Sequence, residues 1–303
     1  CQFAWLNSRC VIPGAASRNF ALCRFSGRHR GSNAAGHLRR NFDFTHALSA
    51  AGVNRRIQTM KILETKNLMK RFNGVHAVER LSIGIEKGSI TGIIGPNGSG
   101  KTTLINLLSG VLEIDGGEVI VDEAQKFSRI LPHQISTFGI TRTFQNVRLF
   151  EQMMVLDNIL VVVTERNVFG SLFEKHTEYH HKAAEEVLQK VGLWDKRNQL
   201  AVNLSYGQRK LLEIARTLAM KAEIYLFDEP FAGLFPEMKK IVSGIIRELK
   251  QENKTVILVE HDIGLIREIC DHIFVMDEGK LLAEGKPGQV LNKREIIEAY
   301  LGE

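Results

Sequence analysis

The feature that most constrains the fold of this chain is a glycine-rich loop near residue 100 with the pattern G-x-x-x-x-G-K-[ST]. The loop consists of Gly95, Pro96, Asn97, Gly98, Ser99, Gly100, Lys101 and Thr102. An apolar run over residues 89–94 precedes it, and a helix-like stretch over residues 103–108 follows it. Strand, loop and helix stand in the order that a phosphate-binding loop requires. The alternative is an accidental glycine turn, but such a turn would not need a strand before it and a helix after it. The sequence therefore predicts a buried strand joined through the loop to a helix, with a nucleotide at the junction.

The residue types of this loop suit a phosphate group. Glycines let successive backbone N–H groups point inward at phosphate oxygens, and the helix N-terminus adds a partial positive charge. Lys101 supplies a full positive charge, and Thr102 is placed to hold Mg²⁺. We therefore predict that this loop binds the phosphates of a nucleotide together with a magnesium ion.

The composition changes sharply near residue 60. Residues 1–60 contain nine arginines, no lysine and one acidic residue, whereas residues 61–303 contain 31 basic and 33 acidic residues. Three of the four cysteines also lie in residues 1–60, so no disulfide framework is indicated. We expect residues 1–60 to be a disordered leader or a mis-assigned start upstream of Met60. A transit peptide and an arginine-rich nucleic-acid arm are the alternatives.

From residue 61 onward, short apolar runs alternate with helical patterns. This alternation indicates an α/β domain with a substantially parallel sheet. Strands are predicted over residues 62–68, 81–85, 224–227, 256–259 and 273–276. No apolar run reaches the roughly 18 to 20 residues that a membrane-spanning helix needs. Any role at a membrane is therefore expected to depend on a partner.

One segment between the predicted strands differs from the rest. Residues 180–191 place Ala183, Val187, Leu188 and Val191 at helical spacing, with charged residues on the opposite side. This pattern predicts a helical insertion between two parts of the sheet domain, over about residues 150–215.

Two adjacent carboxylates follow the apolar run at 224–227. Asp228 and Glu229 would lie at the carboxyl end of a buried strand, where open α/β sheets bind ligands. Asp228 could reach Mg²⁺ through water, and Glu229 could polarise a water for attack on a γ-phosphate. The alternative is an ordinary acidic turn before Pro230. The phosphate-binding loop upstream favours the functional interpretation.

Three further segments are weak signals when each is taken alone. Ser205 is placed to cap the helix that follows it, and Gly207 would let the backbone approach a ligand closely. His261 follows the apolar run at 256–259, where a single histidine is more often structural than catalytic. Gln145, taken alone, would be interpreted as an ordinary loop residue.

Taken together, these five features resemble the ATP-binding-cassette (ABC) ATPases. The phosphate-binding loop, Gln145, the signature segment 204–208, the Asp228–Glu229 pair and His261 occur in that family's order and close to its spacing. The resemblance covers essentially all of residues 61–303. It implies a P-loop NTPase fold with a parallel-sheet core, an antiparallel β subdomain and a helical insertion subdomain.

The resemblance also implies roles for individual residues toward ATP and Mg²⁺. Phe72 is implied to stack on adenine, Gln145 to sense the γ-phosphate and Mg²⁺, Glu229 to act as the base and His261 to contact the γ-phosphate. Ser205, Gly207 and Gln208 are implied to meet ATP bound to the opposite subunit. The implied ATP-binding residues further include residues 95–102 and Thr103, and the implied magnesium residues are Thr102, Gln145 and Asp228.

Two positions depart from the commonest pattern of the family. Tyr206 replaces the usual first glycine of the signature, which is typical of amino-acid importers. Phe235 stands where many members have Asp or Asn, and this puts in doubt the coupling between subunits through that loop.

The segments 139–150 and 296–302 resemble the ATPase subunits of branched-chain amino-acid importers. This similarity predicts an ATP-hydrolysing importer subunit, peripheral on the cytoplasmic face of the bacterial inner membrane. The implied partners are transmembrane permease subunits, a second and different ATPase subunit, and indirectly a periplasmic binding protein. ATPases of urea or lipopolysaccharide transport are the near alternatives, and a soluble non-transport ABC protein is the more distant one. No nucleic-acid partner is expected, because residues 61–303 carry a net charge near −2.

Overall fold

The computed structural model describes residues 60–122, 125–129, 131–143, 148–163 and 176–301. The predicted leader and Gln145 lie outside the described residues. The strands are β1 Lys61–Phe72, β2 Val75–Leu81, β3 Gly84–Glu86, β4 Ile90–Ile94, β5 Gly116–Val121, β6 Gln125–Phe127, β7 Ile140–Arg142, β8 Ile224–Asp228, β9 Thr255–Val259, β10 His272–Asp277 and β11 Lys280–Gly285. The α-helices are α1 Lys101–Leu108, α2 Val155–Val163, α3 His176–Lys190, α4 Tyr206–Ala219, α5 Pro236–Gln251, α6 Ile263–Ile269, α7 Pro287–Val290 and α8 Arg294–Leu301.

The larger sheet brings distant motifs to one edge. Its strand order is β11-β10-β4-β9-β8-β7, and all neighbouring pairs from β10 to β7 are parallel. Parallel strands have their carboxyl ends at the same edge. Because β4, β9 and β8 are successive neighbours, the loop after β4, the carboxylates at the end of β8 and His261 after β9 lie side by side there.

Both faces of this sheet are buried, and each strand divides its residues between them. In β8, Tyr225 and Phe227 belong to a core cluster shared with α4, α5 and α6, whereas Ile224 and Leu226 belong to a cluster shared with α1 and the smaller sheet. A strand that is covered on both faces is apolar at nearly every position. The short continuous apolar runs of the sequence therefore predicted these strands correctly.

The smaller sheet is antiparallel, with strand order β2-β1-β5-β6 and with β3 paired to β1. The strand predicted over residues 81–85 is wrong as a single element, because β2 ends at Leu81 and β3 begins at Gly84. Both strands pair with the side of β1 opposite β5, and the pairing is interrupted between Leu81 and Gly84. Thr65 Oγ1 accepts a hydrogen bond from Ile83 N and donates one to Leu81 O, both at 3.0 Å, and Thr65 N donates to Ile83 O at 2.8 Å. A side chain therefore supplements the backbone pairing at this break.

Helices α2, α3 and α4 lie between β7 and β8 and pack on one another. The helix predicted over 180–191 is present as α3, but its buried face includes Ala184 where the sequence analysis placed Ala183. Leu188 and Val191 are buried as predicted. In the described residues, no helix is long and apolar enough to cross a membrane. The domain boundaries drawn from the sequence remain a prediction.

Candidate active site

The glycine loop joins β4 to α1 in a conformation that needs glycine. Gly100, the residue before α1, has a φ of 99°, and a Cβ added there would lie 2.2 Å from the carbonyl oxygen of Ala77. A Cβ on Gly95 would lie 2.2 Å from the carbonyl oxygen of Met276. The loop is therefore seated against β2 and β10, which fixes the direction in which α1 begins.

Lys101 is the first residue of α1 and lies against the loop itself. Its Nζ donates hydrogen bonds to the carbonyl oxygens of Gly95 and Pro96, at 2.8 and 2.9 Å. Burial lowers the pKa of Lys101, and the negative charges of Glu229 and Asp228 oppose that shift. One electrostatic environment thus contains the ammonium group and both carboxylates. Thr102, on the first turn, is exposed, and Thr103 is half-buried.

Asp228 is buried at the end of β8, and its two carboxylate oxygens have different surroundings. Its Oδ2 lies 3.3 Å from Nη2 of Arg142. The other terminal nitrogen of that guanidinium, Nη1, donates to Asn106 Oδ1 and Ser109 Oγ at 2.8 and 2.6 Å. Oδ1 of Asp228 is buried without a hydrogen-bond partner among the described residues. Burial raises the pKa of Asp228, and Arg142 opposes that rise.

The unpartnered Oδ1 suits a hard cation or its water ligand. A buried oxygen without a donor is unfavourable unless another group satisfies it. Mg²⁺ typically takes one or two protein oxygens and completes its shell with water and substrate phosphates. The donor set of Asp228 and Thr102 is of this kind, so the residues present fit the predicted magnesium ion.

Glu229 has an unusual backbone conformation. Its φ is +50°, in the left-handed region that residues other than glycine seldom adopt. Its N–H donates to the carbonyl oxygen of Val259 at 3.0 Å, and its own carbonyl oxygen accepts from Lys210 Nζ at 2.5 Å. A strained backbone conformation of this kind persists only where the surrounding structure holds it in place, and such conformations are concentrated at active sites.

His261 follows β9 and is largely exposed, with its Nδ1 3.9 Å from Glu260 Oε2. Glu260 itself is buried. Its Oε1 accepts from Phe231 N at 3.0 Å and its Oε2 accepts from His261 N at 3.3 Å. Burial raises the pKa of Glu260, and these two backbone hydrogen bonds and His261 oppose that rise. Glu260 thus ties the loop after β8 to the loop that carries His261.

The signature segment begins α4 with a complete capping box. Gln208 N donates to Ser205 Oγ at 3.4 Å, and Ser205 N donates to Gln208 Oε1 at 3.1 Å. The cap predicted at Ser205 is therefore present. Gly207 is buried, and a Cβ there would lie 2.6 Å from Met238 Sδ. The room left by its missing side chain faces α5, so the close approach to a ligand that was predicted for Gly207 remains a prediction.

The remaining predicted residues lie at the margins of this arrangement. Phe72 ends β1, is 42% exposed and has Lys70 Nζ 5.6 Å from its ring centroid. In the described part of the chain, neither Phe72 nor Ser205 shares a hydrogen bond with the phosphate-binding loop. Gln145 lies outside the described residues. Thr143, two positions earlier, accepts a hydrogen bond from Asp228 N at 3.2 Å.

Three buried polar residues that hold the site together were not predicted from the sequence: Arg142, Lys210 and Glu260. A signal for Lys210 was present. Lys210, Glu213 and Thr217 stand at helical spacing within α4, and all three are buried. Polar residues that recur at helical spacing on the buried face of a helix indicate hydrogen-bond or charge partners in the interior of the protein.

The family model described as ABC transporter matches residues 78–232. The chain belongs to the ABC transporter family. This ABC protein is 42% identical over 251 residues to the "Probable branched-chain amino acid transport ATP-binding protein LivG" of Archaeoglobus fulgidus, covering 80% of this chain and 96% of that protein. It is 38% identical over 253 residues to the "High-affinity branched-chain amino acid transport ATP-binding protein LivG" of Escherichia coli K12, covering 80% and 98%.

Solved structures agree with this assignment. A nucleotide-free ATP-binding cassette from an ABC transporter matches with a TM-score of 0.71 and 35% identity, covering 80% of this chain and 100% of that one. A dimeric post-hydrolysis cassette bound to ADP and Pi matches with a TM-score of 0.66 and 26% identity, covering 74% and 98%. The predicted family, the ABC ATPase fold and the ATPase class are confirmed. The individual roles of the site residues remain predictions.

Proposed function

We propose that this ABC ATPase is the ATP-hydrolysing subunit of an importer of branched-chain amino acids. The observation that carries the ATPase part is that Asp228 and Glu229 lie at the same edge of the parallel sheet as the loop that carries Lys101, with Glu229 fixed in a left-handed conformation. The substrate class is supported by the two LivG relatives, since this chain spans nearly their whole length.

In the proposed reaction, the N–H groups of residues 95–102 and the ammonium of Lys101 bind the ATP phosphates, and Phe72 stacks on adenine. Thr102, Asp228 and Gln145 would hold Mg²⁺, which when bound neutralises negative charge on the phosphates. Glu229 accepts a proton from the attacking water, and His261 contacts the γ-phosphate.

We further propose that the cassette works as a dimer. Ser205, Gly207 and Gln208 would meet the ATP of the opposite subunit. The dimeric relative bound to ADP and Pi supports a dimer, and pairing with a second, different ATPase subunit is the finer proposal. Tyr206 is 49% exposed and Phe235 is 71% exposed, so aromatic groups at the signature and in the loop before α5 are available to a partner.

We also propose that the protein is peripheral on the cytoplasmic face of the bacterial inner membrane and that a permease binds in a groove of about 550 Å³. Phe150 is 47% exposed there, and the guanidinium of Arg216 lies 5.2 Å from its ring centroid. Other residues lining the groove are Arg148, Leu149, Val162 and Met220. The segment that carries Phe150 begins shortly after Gln145, so movement of Gln145 on ATP binding would be transmitted to this surface.

The substrate proposal is tested by reconstituting the full chain in vesicles with the permease subunits and binding protein encoded beside its gene. We expect ATP-driven uptake of labelled leucine, isoleucine or valine. Uptake of urea and none of these amino acids would contradict the substrate class. Arg148→Glu should lower leucine uptake while leaving ATP affinity unchanged. Lys126→Glu, the same charge reversal on an exposed residue of β6, is the matched control and should leave both unchanged.

A further inference from the structure

A buried lysine joins the signature helix to the carboxylate at the end of β8. Lys210 lies in the second turn of α4, is only 3% exposed, and donates to the carbonyl oxygen of Glu229 at 2.5 Å. The sequence separation between the two residues is 19. This contact therefore connects the helical insertion with the carboxylate edge of the parallel sheet.

The contact acts on a residue whose backbone is strained. Glu229 has a φ of +50°, and its N–H donates to Val259 at the end of β9. Its carbonyl oxygen accepts from Lys210. The peptide groups on both sides of Glu229 are thus held, one by the sheet and the other by α4. Because φ and ψ set the direction of the side chain, the position of α4 contributes to where the Glu229 carboxylate points.

The charges around Lys210 explain why an ammonium can be buried here. Glu213 of the same helix, Glu229 and Asp228 at the end of β8, and Glu260 after β9 all attract it. These carboxylates oppose the effect of burial, which lowers the pKa of Lys210. The surrounding carboxylates also leave the buried ammonium group few alternative positions. They therefore help to hold its hydrogen bond to the Glu229 carbonyl oxygen in place.

We propose that Lys210 is a positioning residue for ATP hydrolysis: it couples the signature helix to the Glu229 carboxylate within one subunit. The proposal rests on the proposed function, in which Glu229 is the base. In this proposal Lys210 acts through Glu229 and is not assigned a contact with the nucleotide. It makes the orientation of Glu229 depend on α4, whose N-terminus carries Ser205 and the signature. A shift of α4 caused by the partner cassette would therefore change hydrolysis at this subunit's own site.

The first test is steady-state ATP hydrolysis by the full chain carrying Lys210→Met. A misplacement of a catalytic group by about 1 Å can reduce turnover roughly 100-fold, so we expect kcat to fall by about 10- to 100-fold with KM for ATP within about twofold. Lys210→Arg keeps a cationic donor and should recover part of kcat. Lys190→Met, which removes an exposed lysine paired with Glu248 at 2.6 Å, is the matched control and should behave as the wild type.

A double variant separates positioning from general damage. If Lys210 acts through Glu229, adding Lys210→Met to Glu229→Gln should cause no further loss of kcat. A further loss equal to that of Lys210→Met alone, or a loss of ATP affinity, would overturn the proposal. If Lys210→Met does not fold, Lys210→Gln replaces it, since glutamine is uncharged and its side chain is one atom shorter than that of lysine. Wild-type turnover by Glu229→Gln would instead refute the proposed function, and wild-type turnover by Lys210→Met would refute only this inference.

Discussion

The buried pair of Arg142 and Asp228 provides the sharpest stability prediction. The Arg142 side chain is 7% exposed and the Asp228 side chain 1%, and Arg142 also donates to Asn106 and Ser109. Arg142→Met removes the positive charge and leaves the Asp228 carboxylate buried without its cation. Breaking such a pair on one side costs about 3–5 kcal/mol. For a domain of this size, that loss lowers Tm by about 6–20 °C.

The effect of pH gives this prediction a second, independent readout. Burial already raises the pKa of Asp228, and the loss of Arg142 removes the largest of the positive charges that oppose the rise, while Lys210 and Lys101 remain. A carboxyl whose folded pKa lies above its unfolded value is penalised while it is ionised, and the penalty disappears as pH falls through the folded pKa. The difference in stability between Arg142→Met and the wild type should therefore narrow as pH falls through the raised pKa of Asp228 in the folded variant.

Thermal unfolding followed by circular dichroism measures both effects. Arg129→Met is the matched control, because Arg129 forms an exposed pair with Glu113 that contributes less than about 1 kcal/mol. Adding Asp228→Asn to Arg142→Met should restore part of the lost stability, since the uncompensated charge is then gone. Equal Tm values for Arg142→Met and Arg129→Met would refute the reasoning.

Three further predictions concern the loop, the leader and the buried thiol. Lys101→Ala should weaken ATP binding by about tenfold or more in a fluorescence titration, because it deletes a charged contact to phosphate; unchanged affinity would contradict the site. A chain beginning at Met60 should keep the Tm and the ATP affinity of the full chain, and a large loss of Tm would show that residues 1–59 pack on the domain. Burial raises the pKa of Cys270, the one cysteine of that shorter chain, to about 12. Iodoacetamide at pH 8 should therefore modify it only after unfolding, and rapid modification of the native protein would contradict its burial.

Those parts of the fold that depend on local pattern were predictable from the sequence. The loop over residues 95–102 has a fixed spacing because successive N–H groups must surround a phosphate. The runs that became β8, β9 and β10 are apolar at nearly every position because the sheet is covered on both faces. The cap at Ser205 follows from chemistry within one turn.

Other parts depend on contacts that a single sequence does not reveal. Arg142 meets Asp228 across 86 residues of chain, and Glu260 meets Phe231 across 29. The left-handed conformation of Glu229 has no local signal either, because tertiary contacts hold it. In α3, Ala183 and Ala184 are adjacent alanines, so the helical period alone did not decide which of them is buried.

The central claim is that Glu229 activates the attacking water at an otherwise intact ATP site. Glu229→Gln keeps the size of the side chain and removes its basicity. ATP affinity and single-turnover hydrolysis should be measured on the same preparation of this variant. We predict wild-type affinity, accumulation of an ATP-bound closed dimer and hydrolysis slowed by roughly 100-fold or more. Hydrolysis at the wild-type rate would contradict the claim.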